Sequence, residues 1–282
     1  MSESGARMVW DLSMELIHAT VQLEQPLGDG TRTVGTGFLI NVPTADGKPR
    51  TILVTANHVF TRMPGTDARI GYRVQNPDGS WSYAPQTLPI RDKAGSPMWT
   101  HHPTRDVAAL SITAPPEFAK AAIPESYLAE DDTFTRNEVG AGDEMMALGF
   151  PRGLSANQAG FPILRSGRIA SYPVAPAKAF PTFLLDFSVF PGNSGGPVFM
   201  TIEDIRRTSS AAPSSTGFVA GLLTQQVELN NERLEIGIVT HAKYIRETLA
   251  LIDNPLAPVT VADDVAVRGG KTASAGESPA KD

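Results

Sequence analysis

Short apolar runs rich in β-branched and aromatic residues recur along this chain from about Ile17, each closed off by glycine, proline or aspartate. HATVQLE, TVGTGFLINV and RTILVTANHVF come first, and ARIGYRVQN, WSYAPQTLPI and DVAALSIT follow. With 25 Gly and 23 Pro and few helix-periodic stretches, such a chain folds as many short strands joined by turns, an all-β sandwich or barrel. A second set of runs, DEMMALGF, PILRSGRIAS, FPTFLLDFSV, GPVFM, GFVAGLLTQQ and LEIGIVT, gives the second half the same architecture. Between the sets, APPEFAKAAIPESYLAEDD breaks the strand pattern and reads as a connection between two lobes. The 282 residues, 41% of them hydrophobic, suffice for a sizeable core.

Near the end, HAKYIRETLALID sets Ala242, Ile245, Leu249 and Ile252 three and four apart, the stripe of an amphipathic helix that Asn254-Pro255 would stop. The Ser/Ala/Pro/Thr-rich stretch EDIRRTSSAAPSST reads as an exposed insertion. The tail has little to bury and is expected to be disordered. A net charge of −6 argues against general affinity for nucleic-acid backbones or anionic membranes, which would repel the surface. With no cysteine, disulfides, thiol catalysis and thiolate metal sites are excluded. The N-terminal stretch lacks the continuous apolar core of a secretory signal, and no run reaches a membrane span, so a cytoplasmic location is expected.

Three segments carry chemistry. In FPGNSGGPVF, Ser194 stands among Gly192, Gly195 and Gly196, glycines that let the backbone turn tightly enough for the amides of Gly192 and Ser194 to face one spot. A glycine-rich turn with an incidental serine has the same pattern, and the segment alone does not choose. ILVTANHVF ends an apolar strand at His58, a placement that also suits a satisfied core histidine. TRDVAALSI sets Asp106 at the entry to an apolar strand, where it would accept a hydrogen bond from an imidazole or simply cap the strand.

TGFLI, TANHVF, RDVAALSI, ALGFPRGL, LRSGRIAS, LLDFSVFPGNSGGPVF and LEIGIVTHAKYIRETL together resemble the trypsin-like peptidases, particularly the bacterial HtrA/Deg-type protease domain, over most of Gly35 to Leu249. The resemblance implies a chymotrypsin-like fold of two six-stranded antiparallel β-barrels with a C-terminal helix. On this chain that means a protease domain over 14–252, with barrels at about 14–118 and 140–240, a helix at 241–252, a tail at 253–282 and no room for a PDZ domain. It implies Ser194 as nucleophile, His58 as general base and then acid, Asp106 as the group orienting the imidazole, and an oxyanion hole from Gly192, Asn193 and Ser194. Asp186 matches a further position of the pattern, as a support for the active-site loop or as a buried hydrogen-bonding residue. An α/β-hydrolase also uses GxSxG, but Pro197-Val198-Phe199-Met200 continues as a strand and only His241 follows the serine.

The resemblance places Ser188 at the base of a specificity pocket, with Thr224 and Gln225 beside it; Gln225-Gln226 equally suit an exposed strand surface. A neutral Ser188 argues against Arg or Lys before the scissile bond and favours small or medium apolar side chains. The position that carries an activating aspartate in digestive trypsins is Asn193 here, so that ion-pair switch is ruled out, and regulation would act on the loops Ala156 to Phe161 and Phe187 to Gly192. Adjacent histidines such as His101 and His102 point to opposite sides of an extended chain, and His18 and His241 lack partners at ligand spacing, so no metal and no cofactor are expected. The expected partner is a protein or peptide substrate, with room for a regulatory protein. A latent module that binds peptide without cutting it is the alternative.

Overall fold

The computed structural model describes residues 12–44, 46–201, 217–229 and 232–259. Both lobes are built from strands, and a single helix closes the described chain. In the first lobe, β1 (Thr20–Pro26), β2 (Arg32–Pro43), β3 (Pro49–Thr55), β4 (Asp67–Gln75), β5 (Trp81–Pro89), β6 (Thr100–His101) and β7 (Ala108–Ile112) form one sheet in the order β5-β4-β1-β2-β3-β7-β6. A short β8 (Ile123–Pro124) adds to it in parallel on β2. The sequence suggests a closed six-stranded barrel here; eight strands are found, and their hydrogen-bonded path stays open. The ends of that path explain it. Edge strand β5 carries Pro85 and Pro89, which have no N–H to donate, and β6 is only two residues long.

The second lobe is a closed barrel of six antiparallel strands. Its members are β9 (Glu144–Gly149), β10 (Ile163–Ile169), β11 (Thr182–Asp186), β12 (Pro197–Met200), β13 (Phe218–Leu229) and β14 (Glu232–His241), in the order β10-β11-β14-β13-β12-β9. A bulge at Leu223/Gln225 breaks the β13–β14 register beside Thr224. The 203–216 insertion read from sequence and most of the tail lie outside the described residues.

The GFLI run fits a strand covered on both faces, because Phe38, Leu39 and Ile40 of β2 are all fully buried between the sheet interior and the inter-lobe connection. Burying each such side chain contributes roughly 1.5–3 kcal/mol. The connection itself folds as α3 (Pro116–Ala121), β8, a 3₁₀ turn and the short α4 (Thr133–Arg136), with Pro116 tolerated in the first turn of α3 where its missing N–H has no helical acceptor. Two helices take residues from runs read as strand: the one-turn α2 (Asn57–Thr61) after β3, and α1 (Leu12–Ala19), which precedes β1 and takes in His18 and Ala19. Its Leu12, Leu16 and Ala19 repeat at helical spacing and are buried.

The C-terminal α5 (Ala242–Asp253) buries Ala242, Ile245 and Leu249 as the stripe predicts, with Ile252 packed at the core margin, and ends before Asn254-Pro255. Asp253 accepts two hydrogen bonds from Arg50, each 2.7 Å, tying the helix end to β3. No described helix is long and apolar enough to cross a membrane.

His241 joins β14 to α5, with its ring centroid 4.9 Å from that of Phe134 and 5.0 Å from that of Phe183. Burial penalises the imidazolium and lowers its pKa to about 4, against a smaller opposing effect of a backbone hydrogen bond with Val174. The fold therefore prefers the neutral ring. The stability this contributes is present above pH 6.5 and is lost as pH falls toward 4, where the unfolded chain binds a proton and the native chain resists it. Urea unfolding should show a loss of about 3 kcal/mol between these limits, and His241→Gln should make the slope shallower.

Candidate active site

Strand β3 runs buried to Thr55, and the chain then turns through extended Ala56 into the one-turn helix α2 (Asn57–Thr61). The N–H groups of a first helical turn have no helical acceptor. At His58 that amide is taken by Asp106 Oδ1 at 2.8 Å, and the other carboxylate oxygen lies 2.6 Å from His58 Nδ1. Asp106 comes from the loop between β6 and β7. One carboxylate thus fixes both the main chain and the ring of His58, with Nδ1 as donor and Nε2 as acceptor. The side chains stay 19% and 26% exposed, so the pair lies at a surface rather than in the core. Trp99 Nε1 donates to Asn57 Oδ1 at 2.9 Å and steadies the same turn.

Ser194 sits on the loop from Phe187 to Gly196 that leads into β12. Glycine is required at three points of this loop, and at Gly196 a Cβ would overlap Leu148 O. Gly192 has φ +94° and Gly195 φ +89°, and a Cβ at Gly195 would overlap Thr36 O and Thr55 Oγ1 and stand 3.0 Å from the amide of Ala56. The backbone next to Ser194 is therefore packed against the turn that carries His58. Among the described residues, the Ser194 hydroxyl donates to Thr224 O at 3.3 Å, and no hydrogen bond joins it to His58.

The amides of the loop divide in two. Asn193 N–H donates to Phe190 O (3.0 Å), Gly195 N–H to Leu223 O (2.7 Å) and Gly196 N–H to Asn193 O (3.0 Å). Among the described residues, the amides of Gly192 and Ser194 have no acceptor. Asn193, expected to join an oxyanion hole, has its amide spent on Phe190 O and is buried, so it has no free donor to offer there. Pro191 O accepts from Arg152 N–H at 2.5 Å, and since C=O and N–H of a trans peptide point oppositely, the Gly192 N–H faces away from Arg152.

Thr36 of β2 was not picked out from the sequence. Its N–H donates to Ser194 O (2.9 Å), its Oγ1 donates to Gly192 O (2.6 Å) and accepts from Phe150 N–H (3.1 Å), and its carbonyl accepts from Thr55 Oγ1 (2.6 Å). A threonine inside the strand motif TVGTGFLI looks like any β-branched strand residue, and only register reveals its role.

Of the pocket candidates, Thr224 is buried with its hydroxyl on Ile238 O at 3.2 Å, its carbonyl facing Ser194. Gln225 is exposed. The Ser188 carbonyl accepts from Arg165 Nη1 at 2.6 Å, and the Arg165 guanidinium lies over the rings of Phe187 and Phe190, 5.4 and 5.6 Å from their centroids. Asp186 ends β11 with an exposed side chain, which removes the buried hydrogen-bonding reading. His101 and His102 part as expected. His102 is buried, accepts from Thr104 N–H at Nδ1 (3.2 Å) and meets Glu247 Oε2 at Nε2 (3.0 Å). No group of three or more metal-ligating side chains occurs among the described residues.

Replacing Thr36 by valine keeps the β-branched shape and removes the hydroxyl that serves Gly192 O and Phe150 N–H. Each lost buried hydrogen bond costs on the order of 1 kcal/mol. Urea denaturation of Thr36→Val should show a loss of about 1–3 kcal/mol.

The trypsin-like peptidase domain model matches residues 35–203, more than half of the chain. Among solved structures, the HtrA-type protease AlgW with a tripeptide is similar in two forms, with TM-scores of 0.51 and 0.50. Each is 17% identical in sequence, and the match covers 86% of this chain and 62% of that one. The chain thus spans about 62% of the length of these HtrA-type structures. No curated protein matches the sequence.

Proposed function

This chain belongs to the trypsin-like peptidase family, and on that premise we propose that it is a serine endopeptidase that cuts through an acyl-enzyme. The observation that carries the reading is the double engagement of His58 by Asp106, 2.6 Å at the ring and 2.8 Å at the main chain, beside a serine loop in which the amides of Gly192 and Ser194 are unspent. Ser194 is the nucleophile. His58 Nε2 takes its proton as Oγ attacks the carbonyl carbon and returns it to the leaving amine, and Asp106 holds the ring in that tautomer and stabilises the imidazolium. The amides of Gly192 and Ser194 receive the developing oxyanion. Water then attacks the acyl-enzyme with His58 again as base.

For attack, the Ser194 hydroxyl turns from Thr224 O to His58 Nε2. At 3.3 Å, the bond it gives up is long for O–H···O. The AlgW structures hold a tripeptide, and an extended peptide is the substrate proposed here. Ser188, proposed at the base of the specificity pocket, is neutral, and its neighbour Val189 is apolar and buried. These features favour a small or medium apolar side chain before the scissile bond. A second reading, a latent peptide-binding module, draws on the same Ser194–Thr224 bond, which keeps the hydroxyl off the imidazole.

A fluorophosphonate probe should label the wild-type chain, and Ser194→Ala should lose both labelling and casein cleavage, a fall of about a factor of a million in turnover. Asp106→Asn should cost about 10⁴-fold by reversing the imidazole tautomer. A wild-type chain that binds peptide yet neither labels nor cleaves would favour the latent module.

A further inference from the structure

Arg152 is the one residue of the oxyanion loop's surroundings that holds an unfavourable backbone. Its φ of 53° and ψ of 24° put a residue with a Cβ in the left-handed region, at roughly 1–2 kcal/mol. Such a conformation persists only where neighbours enforce it. Here it has a consequence, because Arg152 N–H is the donor to Pro191 O and so sets the direction of the Gly192 amide.

Within its own lobe, Gly153 N–H to Phe150 O and Leu154 N–H to Pro151 O, each 2.9 Å, close the turn around Arg152, and further contacts come from the other lobe. Gln22 of β1, buried, donates from Nε2 to Gly153 O at 3.0 Å, one residue after Arg152. The same amide is oriented by Tyr83, whose hydroxyl donates to Gln22 Oε1 at 3.3 Å. A phenol that donates there fixes Oε1 as the end it meets, and the NH₂ must then face Gly153. Farther along the segment, Arg73 Nη1 donates to Gly160 O at 3.1 Å, while Nη2 holds Ile17 O (3.2 Å) and His18 O (2.8 Å) at the end of α1. Arg73 is 1% exposed, lies between the rings of Phe118 and Phe161, and has no carboxylate partner among the described residues. Its charge is met by carbonyl dipoles and by the two ring faces, and these contacts join the 151–161 segment to the first lobe.

We propose that Gln22 is a positioning residue for the oxyanion hole, oriented by Tyr83 and supported by Arg73: by holding Gly153 O it keeps Arg152 left-handed, keeps Arg152 N–H on Pro191 O, and keeps the Gly192 amide turned toward the substrate carbonyl. The proposal rests on the serine-peptidase reading. Without the Gln22 bond, Arg152 relaxes toward negative φ, Pro191 O loses its donor, and the Pro191–Gly192 peptide rotates so that one of the two oxyanion donors is lost part of the time. That amide meets charge that develops only as the oxyanion forms, so the loss falls on kcat rather than on KM.

The test uses the full chain, a fluorophosphonate probe and a fluorogenic peptide taken from a casein site that the wild type cuts. Gln22→Leu keeps the volume and removes the donor. It should lower kcat by about tenfold or more, within the roughly 10²–10³-fold that complete loss of one oxyanion donor costs, with KM within about twofold and slower probe labelling. Adding Arg152→Gly, which is at ease at positive φ, should restore most of the lost kcat. That rescue is not expected of a residue whose role is only to fill space. Wild-type kcat in Gln22→Leu, or a loss that Arg152→Gly leaves unrepaired, would overturn the proposal. If Gln22→Leu does not fold, Tyr83→Phe should lower kcat in the same sense, and an unchanged kcat there overturns it too. An inert wild type would instead overturn the peptidase reading, and this proposal with it.

Discussion

Thr36 joins the two lobes at the point where the chemistry would occur. All of its polar groups are engaged at once: N–H on Ser194 O, Oγ1 between Gly192 O and Phe150 N–H, and carbonyl on Thr55 Oγ1. Three of these partners belong to the second lobe and one to the strand that leads to His58. Because buried polar groups are costly to leave unpaired, the set defines one relative placement of the serine loop and the histidine turn and disfavours others. The glycines follow from it. With Thr36 O and Thr55 Oγ1 packed against residue 195, no side chain fits there, so the GNSGGP glycines answer to the first lobe as much as to their own turn.

This division of labour explains what was legible in the sequence. Residues that must have a particular chemistry or backbone freedom leave a local mark: His58 at a strand end, Asp106 before an apolar run, Ser194 among glycines. The strands were legible for the same reason, since alternation and glycine/proline punctuation are local. Thr36, Gln22 and Arg152 were not. Each acts through a contact distant in the chain, with Thr36 reaching Gly192, Gln22 reaching Gly153 and Arg152 reaching Pro191. Their identities are ordinary for a strand or a loop. Helix α1 was missed because its eight residues run directly into β1, with no breaker between Ala19 and Thr20. The open path of the first sheet turned on the proline-bearing edge strand β5, whose prolines were visible but whose edge position was not.

Asn193 shows how neighbouring residues of one motif part once their amides are followed. Three consecutive residues around a nucleophile look alike in sequence, yet their amides cannot all face one point: successive peptide planes turn, and the tight turn closed by Asn193 N–H on Phe190 O is what leaves its neighbours on either side unspent. The turn that consumes one donor creates the pair.

The Ser194–Thr224 bond and the Arg152–Pro191 bond set two different conditions on catalysis. The first is a side-chain rotation about one bond, at a carbonyl 3.3 Å away, and a rotamer change of this kind is fast and small in free energy. The second is a peptide plane held by a strained residue, and releasing it alters the backbone of a loop that packs against Phe150. On the proposed reading, a serine resting on Thr224 O is therefore ready to move when a substrate arrives, whereas an oxyanion hole that has lost its amide would have to be rebuilt. For this reason control over such a site is exerted more effectively on residues 150–161 than on the serine itself, and those residues are held by β1 and β4 of the opposite lobe.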